Sequence, residues 1–159
     1  MINTNALREA ERYCALGIGI LFLVLGIVGF IPAFVSIPGT DVSFVPAQDA
    51  HNAYAAGFGY VFGLFPTNFL HNLVHCTVGL LGITSYLTHH GARQFNRIFF
   101  VAYVVIAIMG LLPFTKTSFG LMPLFGYNVF LNAASAIAAA YYGIVIPAKL
   151  AGEPVSDNI

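Results

Sequence analysis

The sequence predicts an all-α integral membrane protein with four transmembrane helices, arranged as two parallel two-helix repeats, plus an interfacial helix in the first extramembrane loop. Three observations carry this reading. Of 159 residues, 58% are hydrophobic and only 8% charged, against about 25% charged in a soluble domain, so most of the surface must face lipid. Apolar runs long enough to cross a bilayer recur four times, separated by proline-bearing or polar breaks. The halves also share landmarks. GIVGFIP (26–32) matches AIMGLLP (107–113), and GLFP (63–66) matches GLMP (120–123). Two-helix units of one orientation imply a parallel repeat about an axis along the membrane normal.

The length suits a single domain over 1–159, with repeat halves at about 13–87 and 95–146. Residues 1–12 read as a short helical lead-in that Asn5 caps and Arg12 anchors at the headgroups. The first span covers 13–35 and ends at Pro32 and Pro38. It is too long for a signal-peptide core and no small-residue cleavage site follows, so no cleavable signal is expected. Gly19, Gly26 and Gly29 thin one of its faces, which suits close packing between helices.

Residues 36–62 form the longest connection, with Asp41 and Asp49 but no Lys or Arg. Its Ala-rich, aromatic part, 47–62, is read as the interfacial helix, with Tyr54, Phe58 and Tyr60 at headgroup depth. The second span fills the 63–87 stretch after Pro66, and Gly91 reads as its stop. The third runs over 95–114 and the fourth over 121–146, where Pro147 stops it and a polar, frayed tail follows. Arg8, Arg12, Arg93, Arg97 and Lys149 share one side of this topology and Lys116 lies on the other, which places both termini in the cytoplasm. Cys14 and Cys76 sit in apolar runs and read as small buried hydrophobes.

The second span carries the chemistry. Asn68, His71, Asn72 and His75 recur at helical steps and form a polar face that must turn away from lipid. Counting from the shared GLxP openings, His71 aligns with Asn128 and His75 with Asn132, so bonds between these pairs are expected across the bundle. His71 and His75 are also the candidate cofactor ligands. No metal site is expected, since the predicted spans contain no Asp or Glu and Cys76 points about 100° away from His75. A haem held by two histidines needs them on different helices. A chlorophyll needs one axial ligand, which His71 or His75 could supply. Asp49 and His51 are too few for a metal and read as a solvated helix start, and His89 with His90, beside Arg93, read as interfacial polar groups in preference to a metal or lipid-headgroup site.

No catalytic residues are expected. Ser85 and Ser135 lack a nearby carboxylate or second base, no glycine-rich phosphate loop occurs, and no strand is expected. Six basic and six acidic residues leave no net charge, which argues against nucleic acid as a partner.

The GIVGFIP segment, the LFPTNFLHNLVHCTVGLLGI block and their weaker second-half copies, together spanning 13–143, resemble an uncharacterised family of small bacterial (actinobacterial and cyanobacterial) four-helix membrane proteins known only as a domain of unknown function. That resemblance implies the four-helix architecture and little chemistry. Asn128 and Asn132 stand where a second histidine motif would make the site symmetric.

The resulting expectation is an integral membrane protein of the bacterial inner membrane or thylakoid, with a non-catalytic structural or accessory role. It would pack in the lipid bilayer against a larger membrane complex or as a homo-oligomer. The alternative is a pigment- or haem-binding accessory subunit of a photosynthetic or electron-transfer complex, with chlorophyll or haem on His71 or His75.

Overall fold

The computed structural model describes residues 4–37 and 56–152. The chain is mostly helical. Helix α1 (Thr4–Val28) is continuous over 25 residues, so the expected lead-in and first span are one helix. It ends at Val28, ahead of the expected position 35, and a turn at Gly29 leads to a 3₁₀ turn at Pro32–Phe34. Helix α2 (Phe69–Ser85) has 17 residues and α3 (His89–Leu111) has 23. Helix α4 (Tyr127–Ala140) continues through a π turn at Tyr141–Val145 into α5 (Ile146–Gly152). Asn5–Val28, His89–Leu111 and Tyr127–Gly152 are long and apolar enough to cross a membrane, and α2 is a shorter apolar helix.

Two of the expected helical ends move for local reasons. Thr88 Oγ1 accepts from the backbone N–H of Gly91 (2.9 Å), so Gly91 lies in the first turn of α3 and does not stop the second span. The fourth helix passes through Pro147. A proline has no N–H to offer the carbonyl of Gly143, four residues back. The chain answers twice: the backbone widens into the π turn, and Arg97 Nε donates to Gly143 O at 2.8 Å. Gly143 lets α3 come this close, since a Cβ there would stand 3.0 Å from Arg97 N and Asn96 Cβ.

The described residues also contain a sheet, which corrects the expectation of none. Strands β1 (Val35–Ser36), β2 (Gly57–Val61) and β3 (Phe65–Asn68) pair antiparallel in the order β1-β2-β3. The interfacial helix expected over 47–62 is therefore a strand where it is described, and 47–55 with Tyr54, Asp49 and His51 lies outside the described residues, as do Asp41, the side chain of Phe58 and the tail beyond 152. Glycines override the helical reading. Gly59 has φ 135, a conformation that L side chains rarely adopt, at a register shift beside β1, and its Cβ would collide with Ser36 O. The hairpin closes with Leu64 N donating to Val61 O (3.0 Å), with Phe62 (φ 53) and Gly63 (φ 72) both left-handed. The 63–68 stretch, expected in the second span, is this turn and β3.

Helix α1 packs chiefly on α2, and α3 on α4. Where α1 meets α2 the backbones nearly touch. A Cβ on Gly19 would lie 2.6 Å from Ile83 N and 2.9 Å from Gly79 O, and one on Gly26 would lie 2.7 Å from Asn72 O. A Cβ on Gly29 would collide with the Asn72 side chain, and one on Gly82 would lie 2.7 Å from Gly19 Cα. Between the two helix pairs sits Phe22, fully buried, with its ring edge-on to His75 (4.9 Å), Phe99 (5.3 Å) and Tyr103 (5.0 Å). Outward faces carry Val24, Ile27, Leu80, Val101, Val105, Phe130 and Ile137, all exposed. An apolar exterior around a core that includes Glu11, His71 and Asn96 suits lipid outside.

Gly17 contrasts with Gly26: its Cβ would meet nothing within 4 Å. Gly26→Leu is expected to destabilise the monomer by about 1–3 kcal/mol through overpacking, and Gly17→Leu to change it by less than about 0.5 kcal/mol. Thermal unfolding of the two variants in detergent checks this contrast.

Candidate functional site

The polar residues of α2 face the interior. Asn68, the last residue of β3, caps the helix: its Oδ1 accepts from His71 N (2.8 Å) while its Nδ2 donates to Leu121 O (2.8 Å). One side chain thus ties the sheet, the start of α2 and the loop before α4. Asn72 Oδ1 accepts from Thr67 Oγ1 of β3.

His71 and His75 lie one turn apart and are 3% and 6% exposed. Their Nε2 atoms are 2.9 Å apart and their rings meet edge to face at 4.2 Å. Only one Nε2 can carry the shared proton, so two neutral rings take opposite tautomers. The structure does not form the expected His71–Asn128 and His75–Asn132 bonds. Instead, Asn128 Nδ2 donates to Pro66 O (2.8 Å) and Pro123 O (3.1 Å), joining the two GLxP prolines. Asn132 is 2% exposed and lines a small space with His71, His75 and Tyr103. The geometry explains the difference: two imidazoles four residues apart reach each other without crossing between helices. Asn128, in the first turn of α4, lies beside the carbonyls of Pro66 in β3 and Pro123 in the loop before α4.

A second polar group occupies the opposite end of the bundle. Glu11 of α1 is fully buried and takes a two-pronged bond from Arg93 of α3, Nε to Oε2 at 3.0 Å and Nη2 to Oε1 at 3.1 Å. Asn96 Nδ2 donates to Glu11 O (3.0 Å). Arg12 Nε donates to Tyr86 O (2.7 Å), its guanidinium lies 4.6 Å over the Tyr86 ring, and its Nη1 meets Glu9. His89 and His90 are exposed in the first turn of α3, with His89 Nε2 3.6 Å from Glu9 Oε1.

The model of the domain of unknown function DUF4383 matches residues 12–145. The chain belongs to this family. No curated protein and no solved structure matches the chain. The matched region takes in α1 from Arg12 onward and all of α2, α3 and α4, and ends with the last residue of the π turn.

Glu11 and Asn96 are not among the residues that the sequence singles out, and Arg93 enters there only as a basic residue that orients the topology. Glu11 read as part of a headgroup-level lead-in, so the spans appeared free of carboxylates. It lies within the Asn5–Val28 span. The available signal was Glu11 standing one position before Arg12 in an otherwise helical pattern, with Arg93 and Asn96 three apart on the facing helix. Among the described residues, no three His, Cys, Asp or Glu side chains gather into a ligand set.

The histidine pair makes its own test. His71→Leu or His75→Leu leaves the other imidazole buried without its partner and is expected to lose about 1–3 kcal/mol. The double replacement by Leu is expected to lose less than the sum of the singles, because no donor is left stranded. Unfolding midpoints of the three variants in detergent measure this.

Proposed function

We propose that the chain is a non-catalytic accessory protein of a membrane, docking against a transmembrane helix of a neighbouring protein, either in a larger complex or a second copy. In this reading it crosses the bilayer four times, as two two-helix units with the Glu11–Arg93 end toward the cytoplasm. Helix α2 is about 26 Å long and continues into β3, so the two together match a hydrocarbon core of about 30 Å. Strand backbone at that depth is tolerable because β3 pairs with β2 and its residues Pro66, Thr67 and Asn68 are buried within the protein, away from lipid.

The observation that carries the docking reading is a shallow groove of about 450 Å³ between α1 and α4, lined by Ala10, Tyr13, Cys14, Gly17, Ala138 and Tyr142. Small residues on an outer face allow another helix to approach closely, and Gly17 has room before it. The non-catalytic reading rests on the buried groups: Glu11 is occupied by Arg93, and the two imidazoles are occupied with each other. Chlorophyll or haem ligation draws no such support. The Nε2 atoms face one another, and the spaces beside them are of about 10 Å³ each, far below a macrocycle.

Tyr13 is 58% exposed at the rim of the groove. With benzoylphenylalanine in its place, irradiation of native membranes is expected to give a protein adduct, and Gly17→Leu is expected to suppress it by closing the groove. Adducts with lipid alone would remove the basis for docking here.

A further inference from the structure

Two small cavities flank the histidine pair. The first, of about 10 Å³, lies against β2 and β3 and is lined in part by Thr67, His71, Asn72, His75 and Asn128. The second, also of about 10 Å³, is lined in part by His71, His75, Tyr103 and Asn132. Each is close to the smallest space that holds one ordered water.

The walls decide what such a space takes. A cavity with apolar walls stays dry, whereas one with unpaired polar groups fills with water. Among the described residues, Asn72 Nδ2 and Asn128 Oδ1 have no hydrogen-bond partner, His71 Nδ1 forms none beyond its approach to the Pro123 carbonyl, and all three residues line the first cavity. Asn132 Oδ1 is likewise unpartnered, and its residue lines the second. These four side chains are between 1% and 3% exposed, so bulk solvent does not serve them. Among the described residues no carboxylate lines either cavity, which disfavours a cation.

We propose that each cavity binds one ordered water and that the two waters bracket the His71–His75 pair. The first water accepts from Asn72 Nδ2 and donates to Asn128 Oδ1, and also bonds His71 Nδ1. Water suits that last contact for a specific reason. The shared Nε2 proton can sit on either ring, and His71 Nδ1 is a donor in one case and an acceptor in the other. A water serves both, whereas an asparagine carbonyl serves only one. The second water donates to Asn132 Oδ1 beside His75 and Tyr103. The polar core is thereby satisfied by solvent that it encloses, independently of any partner docked outside.

Magic-angle-spinning NMR on the full chain in liposomes, with ¹⁵N-labelled histidine, reads this directly. Water-to-ring magnetisation transfer is expected at His71 and His75, with exposed His89 and His90 as hydrated references. Asn132→Leu fills the second cavity and is expected to reduce transfer to His75, with transfer from the first water to His71 retained. Silent His71 and His75 rings at mixing times that saturate His89 and His90 would overturn the proposal. Undiminished transfer to His75 in Asn132→Leu would overturn the second site.

Discussion

Every polar group that enters this bundle has to find its partner inside it, because the outward faces are apolar. That constraint orders the rest of the structure. Among the described residues it is met in part by backbone pairing outside the helices: β2 bonds to both β1 and β3, and the hairpin at 62–64 closes on itself. It is met by side chains at the seams. Asn68 serves an amide and a carbonyl where β3 becomes α2, Asn128 serves the carbonyls of Pro66 and Pro123, and Arg97 serves the carbonyl that Pro147 leaves open.

Close approach is the second requirement, and small residues supply it. Hydrophobic attraction does not drive one lipid-soaked helix onto another, so van der Waals contact has to be dense. Gly19, Gly26, Gly79 and Gly82 bring the α1 and α2 backbones together, and Gly143 does the same for α4 against α3. With the backbones so near, Phe22 can sit at the centre against His75, Phe99 and Tyr103. The imidazole pair therefore has an aromatic floor on one side and the sheet above the other.

Helices, the inward polar face of α2 and the glycines of α1 were legible because each is periodic, and periodicity is what a sequence displays. The sheet was not, since the Ala-rich, aromatic 47–62 stretch suits an interfacial helix as well as a strand. Only the left-handed turn at Phe62 and Gly63, with Gly59 at φ 135, decides between them. Pro147 misled for a related reason: a proline stops a helix unless a distant donor takes the freed carbonyl, and Arg97 is 46 positions from Gly143. The histidines were identified but their partners were not. Alignment of the halves favoured asparagines across the bundle, while a one-turn spacing let the imidazoles bond to each other.

The Glu11–Arg93 contact tests the pairing constraint most directly, since it joins residues 82 positions apart and one of them is a fully buried carboxylate. A double-mutant cycle by thermal unfolding in detergent, with Glu11→Met, Arg93→Met and both together, separates pairing from packing. Arg93→Met alone is expected to lose about 3–5 kcal/mol by stranding the carboxylate, and the double variant to be more stable than Arg93→Met. A double variant as unstable as the sum of the two singles would contradict the account, because the two side chains would then be stabilising the bundle independently.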